Sequence, residues 1–531
     1  MELKDHPDVN YVNFLINGII NGFDTGISPH PDKYFECRNN LSARKDKNFV
    51  SEQLAEEIKN GFVVGPLERI PNDWYNARVS PLGVAQHKFS GKKRLINDLS
   101  APHDSTESVP PSINSLIDKD SFSLKYVTVD KAMETIVLLG KGAMLSKFDI
   151  RSAFRLLPIR QDLWRFYCAK WEGKFYVFVR FTFGSRSSPF LFTKLSEAIH
   201  FIAINNYGIT QNCKFLYLLD DFLLITSPTE SADKKHQAVL DVFKNLNIPL
   251  ADEKTEGPCT KLTYLGLDLD SERMECILPS DKVKRTLEVI QEFLKLKCCT
   301  KQRLLSLLGY LGFAARCVFG GRSFVFRMYE VASTVKGLFD IVTLSAEAKS
   351  DLQMWKYLLT NWNGVSMFHK PGFVLSTDLS LYTDSSSSVG FGGYFGIREE
   401  YFFSDWNVHP LPDSLTTRSM SYLELYPIIV AAIIWGPYWK GHRIRFVSDN
   451  EGTVAIINKG YARCREINKL MRRLVILATI HNFSFHSTWI STRLNVEADL
   501  LSRNHITEFQ ALRPKATFIT CPSQDMVQFN P

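Results

Sequence analysis

Two adjacent aspartates, Asp220 and Asp221, interrupt the strongly apolar stretch FLYLLDDFLLI at residues 215–225. Apolar runs on both sides of a short polar pair predict a hairpin of two β-strands. A turn accepts aspartate readily, but two carboxylates among buried strands are costly without a counter-ion. A second isolated acid, Asp149 in MLSKFDIRSAF, has a similar apolar setting. Together the three carboxylates would bind two divalent cations, which can activate a 3′-hydroxyl and stabilise a leaving pyrophosphate.

Composition limits the class of protein without deciding its partner. The chain has 531 residues, of which 45% are hydrophobic and 22% charged, so it is globular and long enough for three or four domains. This excludes a disordered, collagen-like or coiled-coil protein. The net charge of +7 permits a nucleic-acid partner but does not require one. The ten cysteines form no C-x-x-C pair, which favours reduced thiols over a zinc ribbon.

The chain gives no sequence signal for secretion or for a membrane. The first residues, MELKDHPDVN, lack a basic segment followed by an apolar one. The longest apolar run, 426–439, contains Gly436 and Pro437 and is shorter than the ~20 residues of a membrane span. We therefore expect a buried helix there, no membrane partner, and an intracellular protein of the cytoplasm or nucleus.

The pattern changes several times along the chain. Residues 1–55 are mixed and polar towards their end, which predicts a peripheral lead-in. Short aromatic-rich strands follow to about 270, amphipathic helices to about 365, and a second α/β unit from about 375 to 505. Residues 281–330 hold ten Lys and Arg against four Asp and Glu. This surplus fits a solvated helix face or a phosphate-backbone contact, and the basic helical stretch at 461–480 leaves the same two interpretations open.

Five motifs between about 60 and 270 resemble the reverse transcriptase of retroelements, in that family's order. Each motif alone is weak, but five in order over about 180 residues are specific. The motifs are GKKRLINDL with Arg94 and Asp98, KFDIRSAF, FTFGSRSSPFLF with Phe183, Gly184, Ser188, Pro189 and Phe192, LLDDFLLI, and DEKTEGPCTKLTYLGLDL.

The resemblance implies a role for each matching residue. One departure is Leu218, where the family usually has tyrosine; Tyr217 lies one place earlier. The implied roles are metal binding for Asp149, Asp220 and Asp221, triphosphate binding for Arg94, substrate contact for Gly184, exclusion of a ribose 2′-hydroxyl by the ring of Phe154, and proton donation to pyrophosphate by Lys254.

The sequences of these motifs are most similar to those of retrotransposons of the DIRS type, with gypsy-like elements as the second choice. The segments SPLGVAQHKFSGKKRLINDLSAP and VPPSIN carry this similarity. A DIRS-type element implies a tyrosine recombinase and a Gag-like protein as partners, and neither a recombinase, a protease nor an integrase pattern is visible in this chain.

Four further acids follow one another in the second α/β unit: Asp384, Glu424, Asp449 and Asp499. Each alone is explained by a strand-end turn or a helix cap. Their order on strand, helix, strand and helix resembles RNase H, which implies a two-metal site that cleaves the RNA strand of an RNA–DNA hybrid. The mobile histidine of many such enzymes is missing, and Arg493 is the candidate to cover the substrate instead.

The resemblances imply an RNA-directed DNA polymerase with RNase H activity. We expect an α/β (α+β) fold with a right-hand polymerase followed by an RNase H-like domain. The predicted parts are a lead-in (1–55), fingers and palm (56–275), a helical thumb and connection (276–370), the RNase H-like domain (371–506) and a tail (507–531). Implied ligands are Mg²⁺ or Mn²⁺, two ions per site, together with an RNA template, a DNA primer, the RNA–DNA hybrid and dNTPs.

Two alternatives stay open. The chain could be a decaying or domesticated retroelement remnant that binds nucleic acid without catalysis, although all seven predicted acids are present. The C-terminal unit could also be an integrase-like or exonuclease-like nuclease of related fold, which the order and spacing of the four acids disfavour.

Overall fold

The structure, a computed structural model, describes residues 2–86, 91–103, 106, 109–124, 128–210, 212–318, 321–361, 365–367, 379–413, 415, 419–440, 442–481 and 483–528. The chain divides into two compact units, Met1–Leu265 and Gly266–Pro531. Both units combine helices and strands, which confirms the predicted α/β (α+β) class. The predicted boundary at residues 370/371 lies outside the described residues.

The first unit contains three sheets among its described residues, and their strand orders are β1–β3–β7–β8–β2, β11–β6–β10–β9 and β4–β5. Its helices are α1 Val9–Asn21, α2 Leu41–Lys45, α3 Lys47–Lys59, α4 Val129–Leu139, α5 Ser188–Asn206 and α6 Ala232–Asn245. Its strands are β1 Phe35–Glu36, β2 Val63–Leu67, β3 Arg78–Val79, β4 Leu82–Gln86, β5 Lys93–Asn97, β6 Met144–Asp149, β7 Cys168–Trp171, β8 Lys174–Phe178, β9 Cys213–Leu218, β10 Asp221–Thr226, β11 Glu256–Cys259 and β12 Lys261–Tyr264.

The sheet β11–β6–β10–β9 is anchored by aromatic side chains. Phe148 and Phe222 are opposite each other on β6 and β10, and both are fully buried. Their rings lie 6.1 and 5.3 Å from that of Phe243 on α6. Because side chains alternate between the faces of a strand, a slip of one residue would expose both rings. Burying each ring contributes about 1.5–3 kcal/mol, so the aromatic pair fixes the register.

The first 55 residues belong to the core of the first unit, so the prediction of a peripheral lead-in is wrong. Leu15 of α1 and the following Phe23 and Ile27 are buried in the same cluster as Phe148. The backbone N–H of Phe23 donates to the carbonyl of Pro158 at 2.9 Å. The apolar residues of this segment are separated by polar residues and glycines, so only the three-dimensional structure reveals their shared burial.

The second unit begins with helices and short strands and continues into a six-stranded sheet of order β22–β21–β18–β19–β20–β23. Its helices are α7 Ser280–Lys295, α8 Lys301–Ala314, α9 Phe326–Ser333, α10 Ala346–Asn361, α11 Met420–Trp435, α12 Glu451–Lys459, α13 Arg465–His481, α14 Val496–Ser502, α15 Ile506–Leu512 and α16 Gln524–Gln528. Its strands are β13 Leu267–Asp270, β14 Glu275–Ile277, β15 Cys298–Thr300, β16 Ile341–Thr343, β17 Val365–Met367, β18 Leu379–Ser385, β19 Gly390–Phe395, β20 Glu400–Asp405, β21 Arg443–Ser448, β22 Ser484–Trp489 and β23 Thr517–Phe518.

Helix α11 is buried in the second unit, as the sequence predicts for its apolar run. The stretch Met420–Trp439 is long and apolar enough to cross a membrane by composition, but 72% of its most apolar window is buried inside the protein. Trp435 and Trp439 are fully buried. A helix that is apolar on all sides is typical of a protein core, and α11 therefore supports the six-stranded sheet.

The basic stretch at 461–480 forms much of α13, and its charges serve mainly contacts within the protein. Arg472 is buried and lies 2.6 Å from the fully buried carboxylate of Asp351 on α10. Arg465 pairs with Glu347 at 3.0 Å, and Lys469 pairs with Glu466 at 2.9 Å. The nucleic-acid interpretation of this helix is therefore replaced by a structural one.

Candidate active sites

Asp149, Asp220 and Asp221 meet at one end of the sheet β11–β6–β10–β9. Asp149 is the last residue of β6 and is directly opposite Asp221, the first residue of β10. Asp220 lies in the turn between β9 and β10, and its carbonyl accepts the N–H of Ile150 at 3.2 Å. The antiparallel register places these acids together, because the end of β6 lies beside the start of β10.

Lys254 forms an ion pair with one acid of this group, Asp149. It ends a short 3₁₀ turn at 252–254 that precedes β11, and its Nζ lies 2.8 and 3.0 Å from the two carboxylate oxygens of Asp149. This hydrogen bond raises the pKa of the Lys254 ammonium. The predicted proton donor is therefore within reach of the predicted metal ligands, and it is charged at neutral pH.

The remaining predicted residues of the first site form an aromatic and basic cluster. The guanidinium of Arg94, on β5, lies 5.5 Å from the ring centre of Phe183. The ring of Phe154 meets that of Phe183 edge-on at 5.4 Å. Gly184 has φ +103°, and a Cβ there would lie 3.1 Å from the carbonyl oxygen of Asn97. Glycine is needed there because few other residues adopt this backbone conformation, so Gly184 fixes the path of the chain beside Arg94.

The pKa values of two carboxyl groups in the first site, Asp220 and Asp221, are raised. Burial, together with the neighbouring Asp220 and Asp149, raises the pKa of Asp221 to about 6. Burial also raises the pKa of Asp220, while Lys254 and Arg94 lower it. Leu218 pairs with Asp221 across the hairpin, so an aliphatic side chain occupies this position beside the acids.

The second group of acids lies at the edge of the six-stranded sheet. Strands β18 and β21 run parallel, so their carboxyl ends bring Asp384 and Asp449 to the same edge. Glu424 reaches this edge from the first turns of α11. Among the described residues, Asp384, Glu424 and Asp449 are the one group of three acids whose ligand atoms all lie within 4.8 Å of one another.

Hydroxyl groups that the sequence motifs did not single out hold these carboxylates. Ser502 donates to Asp384 at 2.5 Å, and Thr492 donates to Asp449 at 2.6 Å. The N–H and hydroxyl of Ser385 donate to one oxygen of Glu424 at 3.3 and 3.1 Å. Ser502 lies three residues after Asp499 on α14, a helical spacing that the sequence could have revealed. Thr492 carries no such signal.

The second site fits a cation. Glu424 is 2% exposed and its second carboxylate oxygen has no hydrogen-bond partner. Burial, together with Asp384 and Asp449, raises the pKa of Glu424 to about 9. Burial likewise raises the pKa of Asp384 to about 6. A buried carboxylate oxygen without a donor, facing two more acids, is a suitable environment for a divalent ion with oxygen ligands.

Asp499, on α14, does not belong to this compact group. Arg503, one turn later on α14, donates to its carboxylate at 2.7 Å. Arg493, which the sequence suggests as a substrate contact, is exposed in the segment before α14. The side chain that touches Asp449 from this segment is that of Thr492. Three residues earlier, the indole N–H of Trp489 donates to the Asp449 carbonyl at 2.9 Å.

Comparison with known proteins finds one matching family model and several solved structures of limited similarity. No curated protein sequence matches the chain. The structure titled "Structure of the foamy viral protease-reverse transcriptase dRH in complex with ds DNA" has 16% identity and a TM-score of 0.49, covering 87% of this chain and 72% of its own. A second foamy viral protease-reverse transcriptase, in complex with dsDNA, has 17% identity and a TM-score of 0.48, covering 88% and 86%. At these values the similarity carries no assignment of activity.

A third structure, the foamy viral protease-reverse transcriptase in complex with RNA/DNA hybrid, has 16% identity and a TM-score of 0.47, covering 87% of this chain and 55% of its own. The family model described as "Reverse transcriptase (RNA-dependent DNA polymerase)" matches residues 87–269. This range includes Arg94, Asp149, Gly184, Asp220 and Lys254. The match identifies residues 87–269 as a reverse transcriptase domain.

Proposed function

We propose that the protein is an RNA-directed DNA polymerase that also degrades the RNA strand of the hybrid it makes. The observation that carries the polymerase is the family match over residues 87–269, within which Asp149 and Asp221 are directly opposite each other. The observation that carries the nuclease is the compact group of Asp384, Glu424 and Asp449 in a separate unit. The fingers, palm and thumb would then precede an RNase H-like domain.

In the polymerase, the chain's own residues would bind and orient the nucleotide. Arg94 offers a bidentate donor for the triphosphate, and the ring of Phe154 fills space that a ribose 2′-hydroxyl would need. Lys254 already donates to Asp149, so it is placed to give a proton to the departing pyrophosphate. Leu218 leaves the hairpin without a tyrosine hydroxyl, so contacts there depend on packing.

In the nuclease, Asp384, Glu424 and Asp449 would be ligands, with Asp499 as the fourth acid. Thr492, Ser502 and Ser385 orient them through the hydrogen bonds described above. Discrimination of RNA would rest on its 2′-hydroxyl and on the shape of the hybrid.

Both sites offer hard carboxylate oxygens, which suit Mg²⁺ or Mn²⁺. When bound in pairs, such ions activate the attacking oxygen and stabilise the leaving one. We propose two ions for each site, held by Asp149, Asp220 and Asp221 in the polymerase and by the four acids named above in the nuclease.

We further propose an origin in a DIRS-type retroelement, with a gypsy-like element as second choice. An intracellular location, in cytoplasm or nucleus, follows from the same proposal, as do a tyrosine recombinase and a Gag-like protein as partners. The similarity of SPLGVAQHKFSGKKRLINDLSAP to such elements supports it.

Primer extension tests the polymerase. Purified full-length protein, given a DNA primer on an RNA template with Mg²⁺ and dNTPs, should extend the primer. The variant Asp220→Asn/Asp221→Asn should not, whereas Asp73→Asn, which changes an exposed acid in a loop, should act like the wild type. Equal extension by the wild type and the double variant would reject the polymerase and favour a non-catalytic remnant.

Cleavage of a labelled RNA–DNA hybrid tests the nuclease in the same preparation. Asp449→Asn should abolish cleavage and keep primer extension, because the polymerase acids are elsewhere in the chain. Asp525→Asn is the matched control at an exposed acid of α16. Retained cleavage by Asp449→Asn would reject the second site, and cleavage of a DNA duplex instead of the hybrid would favour an integrase-like nuclease.

A further inference from the structure

The four acids of the proposed nuclease site differ in what balances their charge. Asp384, Glu424 and Asp449 accept hydrogen bonds from uncharged donors, as described above. Asp499 instead forms an ion pair, because Nε of Arg503 donates to its carboxylate at 2.7 Å. Within the described part of the chain, Asp499 is the one acid of the four that is paired with a positively charged side chain.

Helix α14 holds Arg503 beside the whole site. Asp499 and Arg503 are four residues apart, so they lie on the same side of their helical stretch. Ser502, the residue before Arg503, donates to Asp384 at 2.5 Å and ties this turn to the compact group. The hydrogen bond with Asp499 raises the pKa of the Arg503 guanidinium, and the negative charges of Asp384 and Asp449 act in the same direction. The positive charge of Arg503 therefore acts on more than one acid of the site.

The ion pair of Asp499 and Arg503 lies at the surface, where it can open. The side chain of Arg503 is 55% exposed and that of Asp499 is 28% exposed. Exposed ion pairs contribute little to stability, because water solvates both partners well. A divalent ion that prefers oxygen ligands can therefore replace the guanidinium on Asp499, but only against the repulsion of its positive charge. The compact group, whose donors are hydroxyls and an N–H, does not require such a replacement.

We propose that Arg503 competes with the second divalent ion of the nuclease site for the carboxylate of Asp499. The compact group then binds one ion tightly, and the second ion binds more weakly because the guanidinium must first move away. This inference rests on the proposed function, since it takes the four acids to hold two ions. Arg503 acts through Asp499 as a positioning residue, and it sets the concentration of divalent ions at which the site becomes complete.

Titration of the full-length protein with Mn²⁺, followed by the electron paramagnetic resonance signal of the free ion, tests the inference without catalysis. Every protein in the series carries Asp220→Asn/Asp221→Asn, which weakens binding at the polymerase site. Two unit charges about 4 Å apart in water alter an equilibrium about sixfold, and a divalent ion doubles that free energy. We therefore expect Arg503→Gln to raise the affinity of the weaker ion by about 5- to 30-fold. Arg503→Lys, which keeps the charge, should bind Mn²⁺ like the parent protein.

Arg513→Gln is the matched control. Arg513 pairs with Glu497 at 2.6 Å in the same unit and is 47% exposed, so its loss should leave both Mn²⁺ affinities unchanged. Equal affinity for the weaker ion in Arg503→Gln and Arg513→Gln would overturn the inference. A lower affinity in Arg503→Gln would overturn it as well, since Arg503 would then only orient Asp499 for the ion.

Asp384→Asn in the same series separates this inference from the proposed function. It should remove the tighter ion, because Asp384 belongs to the compact group. If it removes no ion and the wild type cleaves no hybrid, the proposed nuclease itself fails. If Asp384→Asn removes the tighter ion, the wild type cleaves the hybrid and Arg503→Gln has no effect, the inference on Arg503 alone fails.

Discussion

The two acidic sites of this protein neutralise their carboxylates in different ways. In the first unit the carboxylate of Asp149 is paired with the ammonium of Lys254, whereas burial raises the pKa of Asp220. In the second unit Asp384, Glu424 and Asp449 receive neutral hydroxyl donors, and one oxygen of the buried Glu424 receives none. Hydroxyl groups orient a carboxylate but do not cancel its charge. We therefore expect the second site to depend more strongly on added cations than the first.

The largest effect should follow from removing a ligand of the second site. Asp384→Asn should lower the rate of hybrid cleavage by about 10³-fold, because losing several kcal/mol of charge stabilisation costs about tenfold for each 1.4 kcal/mol. Cleavage and primer extension should be measured on the same preparation. A parallel loss of both activities would show that the two sites are coupled and would contradict their separate roles.

A third buried carboxylate, that of Asp351, is paired with two arginines. Its replacement measures how much such pairing contributes to the free energy of unfolding. It lies 2.6 Å from Arg472 and 3.4 Å from Arg327, and it is fully buried. Asp351→Ala should lower the free energy of unfolding by about 3–5 kcal/mol, because it leaves Arg472 buried without a counter-ion. Chemical denaturation in EDTA measures this.

Two variants control for that result. Asp351→Leu/Arg472→Met should recover most of the stability, since apolar side chains replace both charges. Glu347→Ala, which removes an exposed pair with Arg465, should cost no more than about 1 kcal/mol. If Asp351→Ala matched Glu347→Ala, the buried pair would contribute little to stability.

Divalent ions should stabilise the folded protein mainly through the second site. An ion at one hundred times its Kd adds about 2.7 kcal/mol to the free energy of unfolding. The thermal midpoint should therefore rise when Mn²⁺ replaces EDTA, and Glu424→Gln should remove more of this rise than Asp220→Asn/Asp221→Asn. A larger loss of this rise in Asp220→Asn/Asp221→Asn than in Glu424→Gln would contradict the expectation that the second site depends more strongly on cations.

Thr492 should act as a positioning residue for Asp449. Thr492→Val removes the hydroxyl that donates at 2.6 Å and should weaken Mg²⁺ binding by about 10- to 100-fold. Calorimetric titration with Mg²⁺ checks this independently of cleavage, and Thr492→Ser should restore it. Equal Mg²⁺ affinity in Thr492→Val and the wild type would show that Asp449 is held by the backbone alone.

The smallest effect on stability should come from Lys254. Its side chain is 48% exposed, so solvent screens its attraction to Asp149 and Lys254→Met should change the free energy of unfolding by about 1 kcal/mol or less. Primer extension should fall much further, because a general acid contributes about 10²–10⁴-fold to the rate. Loss of stability with unchanged extension would make Lys254 a structural residue.

The sequence predicted the strands of the first site well because their signals are local. Apolar residues flank Asp149 and Asp220 on both sides, and the structure ends β6 and starts β10 at such acids. It also predicted the buried helix α11. The burial of Leu15 and Phe23 was missed, since their partners lie more than a hundred residues away in the chain, as Pro158 does for Phe23.

The basic helix α13 is a second feature whose role could not be predicted from the sequence. Its charges look alike in the sequence, yet Arg472 is buried against Asp351 whereas Arg465 is exposed beside Glu347. Which face of an amphipathic helix carries a charge follows from its period of 3.6 residues. Which element covers that face depends on chain segments far away, so the role of α13 required the structure.

The sequence by itself determined the order of the motifs, the seven acids and the α/β class, because strand and turn signals depend on neighbouring residues. Only the tertiary structure decided that Asp149 is opposite Asp221, that Lys254 pairs with it, and that Thr492 and Ser502 hold the second group of acids. The physical reason is that a site's charge balance depends on distances between groups distant in sequence, and folding alone fixes those distances.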